Sequence, residues 1–123
     1  MRLLLDTHIL VWIALRDRKL SALQRQVLED AKHDLYVSAV TAYEFTHLQA
    51  DRRLPVKEPF SALQSLIGFQ LANLPGNIWQ VTAQLPLIHR DPVDRMLVAH
   101  ALVDGMTILT ADANIRRYPV PTI

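Results

Sequence analysis

An acidic residue stands wherever a short apolar run of this chain stops. Asp6 closes Leu3-Leu4-Leu5, and Glu44 lies just past Leu35-Tyr36-Val37. Asp91 and Asp94 open a helix-like stretch after Leu87-Ile88-His89-Arg90, and Asp112 follows the run that starts at Met106. Runs apolar on both faces read as buried parallel strands. Open parallel α/β sheets bind their ligands at the carboxyl ends of the strands. If these runs are neighbours, the acids gather at one edge of one sheet. Carboxylates gathered in that way repel one another unless a cation joins them.

The pattern between the acids supports the sheet. Met1–Leu5, Asp34–Val37, Phe69–Leu74 and Met106–Leu109 read as strands, with Val120–Ile123 as a final edge strand. Helices are expected at His8–Leu15, from Ser21 to about Ala31, from Thr41 to about Arg52, from Phe60 to Gly68 and from Asn77 to about Leu85. Two more are expected at Asp91–Leu102 and Ala113–Tyr118. Ser21-Ala22-Leu23-Gln24 has the capping-box pattern, and Thr41-Ala42-Tyr43-Glu44 repeats it. Leu23, Val27 and Leu28 mark one buried stripe, and Leu63, Leu66 and Ile67 another. Pro59 suits a first helical turn, Pro75-Gly76 a turn, and Gly105 a helix stop. Strands alternating with helices predict a three-layer α/β/α sandwich around a mainly parallel sheet of about four or five strands. With 123 residues, half of them hydrophobic, the chain reads as a single domain over 1–123 with one sizeable core.

Composition removes several chemistries. There is no cysteine, so disulfides, thiolate metal sites and cysteine nucleophiles are excluded. The formal charge of +1 advertises no strong global field. Arg16, Arg18 and Lys19, then Arg52, Arg53 and Lys57, then Arg116 and Arg117 form small basic clusters that read as solvated charge. No apolar run approaches the ~20 residues of a bilayer span. Asp6 and His8 interrupt any signal peptide, so a cytoplasmic location is expected.

Each acid has a structural alternative. Asp91 before Pro92 suits a helix N-cap, Asp94 the positive end of the helix dipole, Glu44 a capping box with Thr41, and Asp112 a cap on the last helix. Asp6 has none. Capping and chemistry are compatible, because a helix N-terminus faces the strand-to-helix edge. Asp6, Glu44 and Asp94 therefore rank first as site residues, Asp112 next, and Asp91 as a cap or outer group. Clustered oxygen ligands select Mg²⁺ or Mn²⁺, ions that activate water and offset charge on an attacked phosphate. The five histidines include no pair three or four residues apart, so only His89, two residues before Asp91, merits attention. Thr7 and Thr110 stand beside acids and suit orientation of water. Arg90 and Arg95 suit either substrate phosphate or the neighbouring acids.

Four segments carry a family resemblance: Leu3-Leu4-Leu5-Asp6-Thr7-His8, Ser38-Ala39-Val40-Thr41-Ala42-Tyr43-Glu44, His89-Arg90-Asp91-Pro92-Val93-Asp94-Arg95 and Thr110-Ala111-Asp112. In this combination and order the chain resembles PIN-domain ribonucleases, in particular VapC-type toxins of bacterial toxin–antitoxin pairs. The resemblance implies a PIN-like α/β/α fold and an Mg²⁺- or Mn²⁺-dependent endoribonuclease. It implies that Asp6, Glu44, Asp94 and Asp112 form the acidic, metal-binding site. It further implies a homodimer, inhibition by a small antitoxin whose arm enters the site, and an RNA substrate such as transfer or ribosomal RNA. Two departures stand out. Relatives often carry lysine shortly after the glutamate, where this chain has His47-Leu48, and tryptophan before it, where Tyr43 stands.

Two other kinds of protein share parts of the pattern. A receiver domain would want paired acids after the first strand and a lysine near the last; a dehalogenase-like phosphatase would want Asp-x-Asp where Asp6-Thr7-His8 stands. A PIN-like module that only binds a basic partner would retain the same acids without cleaving anything.

Overall fold

The computed structural model describes residues 1–123. Strands β1 (Arg2–Leu5), β2 (Asp34–Ser38), β3 (Gln70–Ala72) and β4 (Thr107–Leu109) form one sheet in the order β3-β2-β1-β4, every pair parallel. The connections are α1 (Thr7–Leu15), α2 (Ala22–Glu29), α3 (Ala39–Ala50), α4 (Phe60–Ile67), α5 (Ile78–Gln84) and α6 (Pro92–Asp104). Parallel neighbours require such crossovers, since a tight hairpin joins only antiparallel strands.

The central strand organises both layers. Leu3, Leu4 and Leu5 are fully buried, and successive side chains of a strand point to opposite faces. Leu3 and Leu5 pack with Ile9, Leu10, Val27, Phe45 and Leu63 on one side. Leu4 packs with Leu97, Val98, Ala101, Ile108 and Tyr118 on the other. The result is the α/β/α sandwich expected from the pattern. No helix is long and apolar enough to cross a membrane.

Several local expectations need correction. Helix α3 begins at Ala39, capped by the Ser38 hydroxyl, which accepts from the Val40 N–H. Thr41 therefore sits inside the helix, and Glu44 closes no capping box. The stripe of α2 is not Leu23, which is 58% exposed, but Val27 with Gln24. On α4, Leu63 is buried but Leu66 is 74% exposed, and Pro59 is the N-cap, not a first-turn residue. The last helix shrinks to a 3-10 turn at Ile115–Arg117. The expected edge strand reduces to one bridge between Ile108 and Thr122, because Pro119 and Pro121 remove the N–H groups a ladder requires.

Two buried polar residues fasten the layers where the site will form. The His100 ring bonds Ser38 Oγ at 2.8 Å through Nδ1 and Asp104 Oδ2 at 3.0 Å through Nε2. Burial lowers its pKa, so the neutral ring is the folded form. The Gln24 amide closes the capping box with Ser21 and donates to the Thr110 carbonyl at 3.0 Å and the Ile123 carbonyl at 3.3 Å. Gln24→Ala should cost about 1–2 kcal/mol, combining the lost reciprocal bond of the capping box with the loss of one donor to the Thr110 and Ile123 carbonyls. Chemical denaturation would read this as a lower midpoint at unchanged slope.

Candidate metal centre

The carboxyl edge of the sheet delivers the acids to one place. Asp6 follows β1 directly and caps α1, its Oδ1 accepting from the Ile9 N–H at 3.0 Å. Glu44 comes from the second turn of α3, after β2. Asp91 caps α6 through Oδ1, accepting from Val93 N–H at 2.8 Å and Asp94 N–H at 3.4 Å, with Pro92 at the first helical position. Asp94 lies in that first turn. Asp112 follows β4, and its Oδ1 accepts from the Asn114 N–H at 2.7 Å and the Ile115 N–H at 3.4 Å. All five carboxylates line one cleft of about 320 Å³. Capping and convergence are thus one arrangement, because each cap sits where a helix starts at the same edge.

The supporting side chains fall into place around them. Thr110, fully buried, donates its hydroxyl to Asp6 Oδ2, while its Oγ1 accepts from the Asp112 N–H at 3.0 Å. Thr7 donates to Glu44 Oε1. His89 lies with Nε2 at 3.1 Å from Asp94 Oδ2 and 3.7 Å from Asp112 Oδ2. The donor atoms of these three residues all lie within 4.8 Å of one another, spacing that one ion could bridge. His89 is nevertheless a poor ligand through Nε2. Its Nδ1 accepts from the Asp91 N–H at 3.1 Å, and a neutral imidazole has only one lone pair and one N–H. With Nδ1 accepting, Nε2 carries the proton and donates it to Asp94. In this tautomer His89 positions Asp94, and an ion here would draw its ligands from the carboxylates.

Arg95 does not face the cleft. Its guanidinium donates to the Pro86 carbonyl at 2.9 Å, the Thr82 carbonyl at 2.8 Å and the Tyr118 hydroxyl at 3.2 Å. Arginine's planar fork matches this ring of acceptors at the end of α5, so its donors go neither to the neighbouring acids nor into the cleft. Arg90 is exposed and outside the cleft lining. Arg53, read from the sequence as solvated charge, lines the cleft instead. Its place in a basic cluster was visible, but nothing in linear order says which cluster folds back over the acids.

The electrostatics suit a cation. The Asp94 pKa is pushed up to about 7, first by burial and then by the carboxylates of Asp91, Asp112 and Glu44, against the lowering influence of His89. Burial also raises that of Asp6, opposed by the Thr110 hydroxyl. A neutral-pH protein that holds a carboxyl half protonated stores charge repulsion that a bound cation would remove. Oxygen donors without cysteine fit a hard divalent ion and not a soft one.

Sheet order, capped helices and converging acids define a PIN domain. The PIN domain family model matches residues 3–121, and the chain belongs to this family. It is similar to Ribonuclease VapC22 of Mycobacterium tuberculosis (strain ATCC 25618 / H37Rv), with 29% identity covering 96% of this chain and 94% of that protein. Among solved structures it resembles a chain of the DNA-bound VapBC of Salmonella typhimurium, with TM-score 0.73 and 16% identity over 100% of this chain and 97% of that one. A chain of Rickettsia felis VapBC2 bound to a promoter DNA fragment gives TM-score 0.72 and 12% identity over 100% and 98%. At such identities the likeness of the solved structures concerns the fold alone.

Proposed function

We propose that this PIN domain is an Mg²⁺- or Mn²⁺-dependent endoribonuclease, the toxin of a toxin–antitoxin pair acting in the cytoplasm. The convergence of five carboxylates, among them an Asp94 whose pKa is pushed up to about 7, carries the reading. Asp6, Glu44, Asp94 and Asp112 would hold the metal, which when bound supplies an activated water and offsets charge on the attacked phosphate. The protein's own groups prepare that event. The Thr110 hydroxyl fixes one oxygen of Asp6, and Thr7 fixes one oxygen of Glu44, so each carboxylate presents its remaining lone pairs in a set direction. The Nε2–H of His89 orients Asp94, and Asp91 shapes the helix start that carries it. Because these partners are already in place, little reorganisation is needed when substrate arrives. An RNA loop suits the open cleft, since single strands expose the backbone that duplexes hide; transfer and ribosomal RNA offer such loops.

Beside the arm expected in the site, the rest of the antitoxin would cover a separate surface. A groove of about 450 Å³ opens between α1, α2 and α4, with Trp12, Ile13, Leu28, Leu35, Leu66 and Ile67 in its walls. Such a patch on a small domain marks a protein contact. The names of VapC22 and of the VapBC complexes support an antitoxin as the occupant. A homodimer is proposed as well, supported by the exposed Tyr43 and Trp79.

The test is incubation of the protein with single-stranded RNA in Mg²⁺, in Mn²⁺ and in chelator, beside Asp6→Asn. Cleavage confined to wild type with metal is expected. Cleavage that survives Asp6→Asn would point to another site or a contaminant, and no cleavage of any RNA would favour a silent binding module.

A further inference from the structure

Four of the ten arginines of this chain donate to partners within it, Arg25 among them to the Arg18 carbonyl. Arg95 holds the end of α5, Arg116 donates to the Thr110 carbonyl at 2.7 Å, and Arg2 donates to the Asp104 carbonyl at 2.6 Å while covering the Tyr36 ring. Arg53 differs. It is exposed, its guanidinium makes no hydrogen bond or ion pair within the chain, and it is the only lysine or arginine lining the acidic cleft. A free guanidinium that shares a cleft with five carboxylates but pairs with none has its whole donor fork available.

The backbone explains why it stays there. Helix α3 ends with Arg52 in the left-handed region at φ 56°. The Arg53 N–H donates to the Leu48 carbonyl at 2.8 Å and the Arg52 N–H to the Gln49 carbonyl at 3.0 Å. These are the two bonds of a Schellman motif, with arginine where glycine is usual. Left-handed backbone at a non-glycine costs about 1 kcal/mol or more, yet it turns the chain so that Arg53 follows the last turn of α3 onto the cleft. Leu48 and Leu54 line the cleft beside it and keep this part of the wall apolar, which strengthens a charged contact made there.

We infer that Arg53 binds a phosphate of the RNA strand at the rim of the acidic cleft, as a substrate-binding residue that sets the approach of the backbone. The inference rests on the ribonuclease reading. A polyanion approaching carboxylates is repelled, and a planar fork of N–H donors in the same cleft matches phosphate oxygens bidentately. It needs no metal to do so, and its contribution is therefore separable from that of the acids.

The experiment is binding of a fluorescent single-stranded RNA, followed by anisotropy at several salt concentrations. Asp94→Asn protein is compared with the same protein carrying Arg53→Gln or Arg53→Lys, and kcat and KM are measured in otherwise wild-type protein. Arg53→Gln should weaken binding roughly tenfold and flatten the salt dependence by about 0.7 in log–log slope, the loss of one single-strand phosphate contact. KM should rise more than kcat falls, and Arg53→Lys should recover part of the affinity and the slope. Melting temperature and its response to Mn²⁺ should not change. Unaltered affinity and slope, with wild type still cleaving RNA, would overturn the assignment and leave the ribonuclease reading standing. A lower melting temperature with an unaltered slope would make Arg53 structural and overturn it too. If wild type neither binds nor cleaves RNA, the ribonuclease reading fails and the phosphate site falls with it.

Discussion

Asp94→Asn should lower the rate of RNA cleavage by about 10³-fold, equivalent to about 4 kcal/mol of transition-state stabilisation. The change is nearly isosteric, so shape is kept while the charge goes. Asp94 is singled out because three other carboxylates and burial act on it together. Those influences mean it is the acid whose ionised form most requires a cation. Residual activity is expected, because Asp6, Glu44 and Asp112 remain at the cleft. The folded state should survive: the substituted asparagine would still follow the Asp91 cap and occupy the first turn of α6. Single-turnover rates on a labelled RNA, with circular dichroism on the same samples, separate lost chemistry from lost fold. Activity within a few-fold of wild type would remove Asp94 from the machinery.

The same substitution should make the metal-free protein more stable at neutral pH. The sign follows from linkage. The folded-state pKa of Asp94 lies near 7, above its ordinary value of 3.8. Its contribution to stability is therefore fully present below pH 3.8 and is lost as pH rises through about 7. The raised pKa of Asp6 acts in the same direction. His100 acts in the opposite one: its pKa lies below 6.5, so its contribution is present above 6.5 and lost as pH falls. Comparing Asp94→Asn with wild type cancels the shared Asp6 and His100 effects. With the Asp94 side chain 22% exposed, solvent screening leaves about 1–2 kcal/mol, or roughly 5 °C in melting temperature for a domain of this size. In chelator at pH 8 the variant should melt higher by that amount, and the gap should close toward pH 4. Saturating Mn²⁺ should reverse the order, because only wild type gains the full binding free energy. A gap independent of pH would show that Asp94 is not under charge stress.

Much of this was legible in linear order, for identifiable reasons. Leu3-Leu4-Leu5 is apolar on both faces, as a central strand requires, but Asp6, expected to have no local role, is the cap of α1. Ser21 and Gln24 announced a capping box that is present, and Asp91-Pro92 announced the cap of α6. Where local pattern misleads, two local solutions are available and packing chooses between them. Ser38 and Thr41 are both good caps; Ser38 prevailed because it also receives the buried His100 ring. Gln24 takes the buried face in place of Leu23, where its amide donates to the Thr110 and Ile123 carbonyls. Arg95 and Arg53 depart from expectation for a similar reason. The end of α5 presents a ring of acceptors to Arg95, whereas the turn after α3 leaves Arg53 without any. Long-range acceptors of that kind have no local signature.

The most direct measurement is Mn²⁺ uptake and RNA cleavage followed on one chelator-treated preparation, with Asp94→Asn carried in parallel. Wild type should take up Mn²⁺ at neutral pH and gain cleavage in proportion to occupancy, while Asp94→Asn takes it up more weakly and cleaves about 10³-fold more slowly. Full cleavage in chelator, or activity unrelated to uptake, would contradict a site built from Asp6, Glu44, Asp94 and Asp112 around a divalent ion.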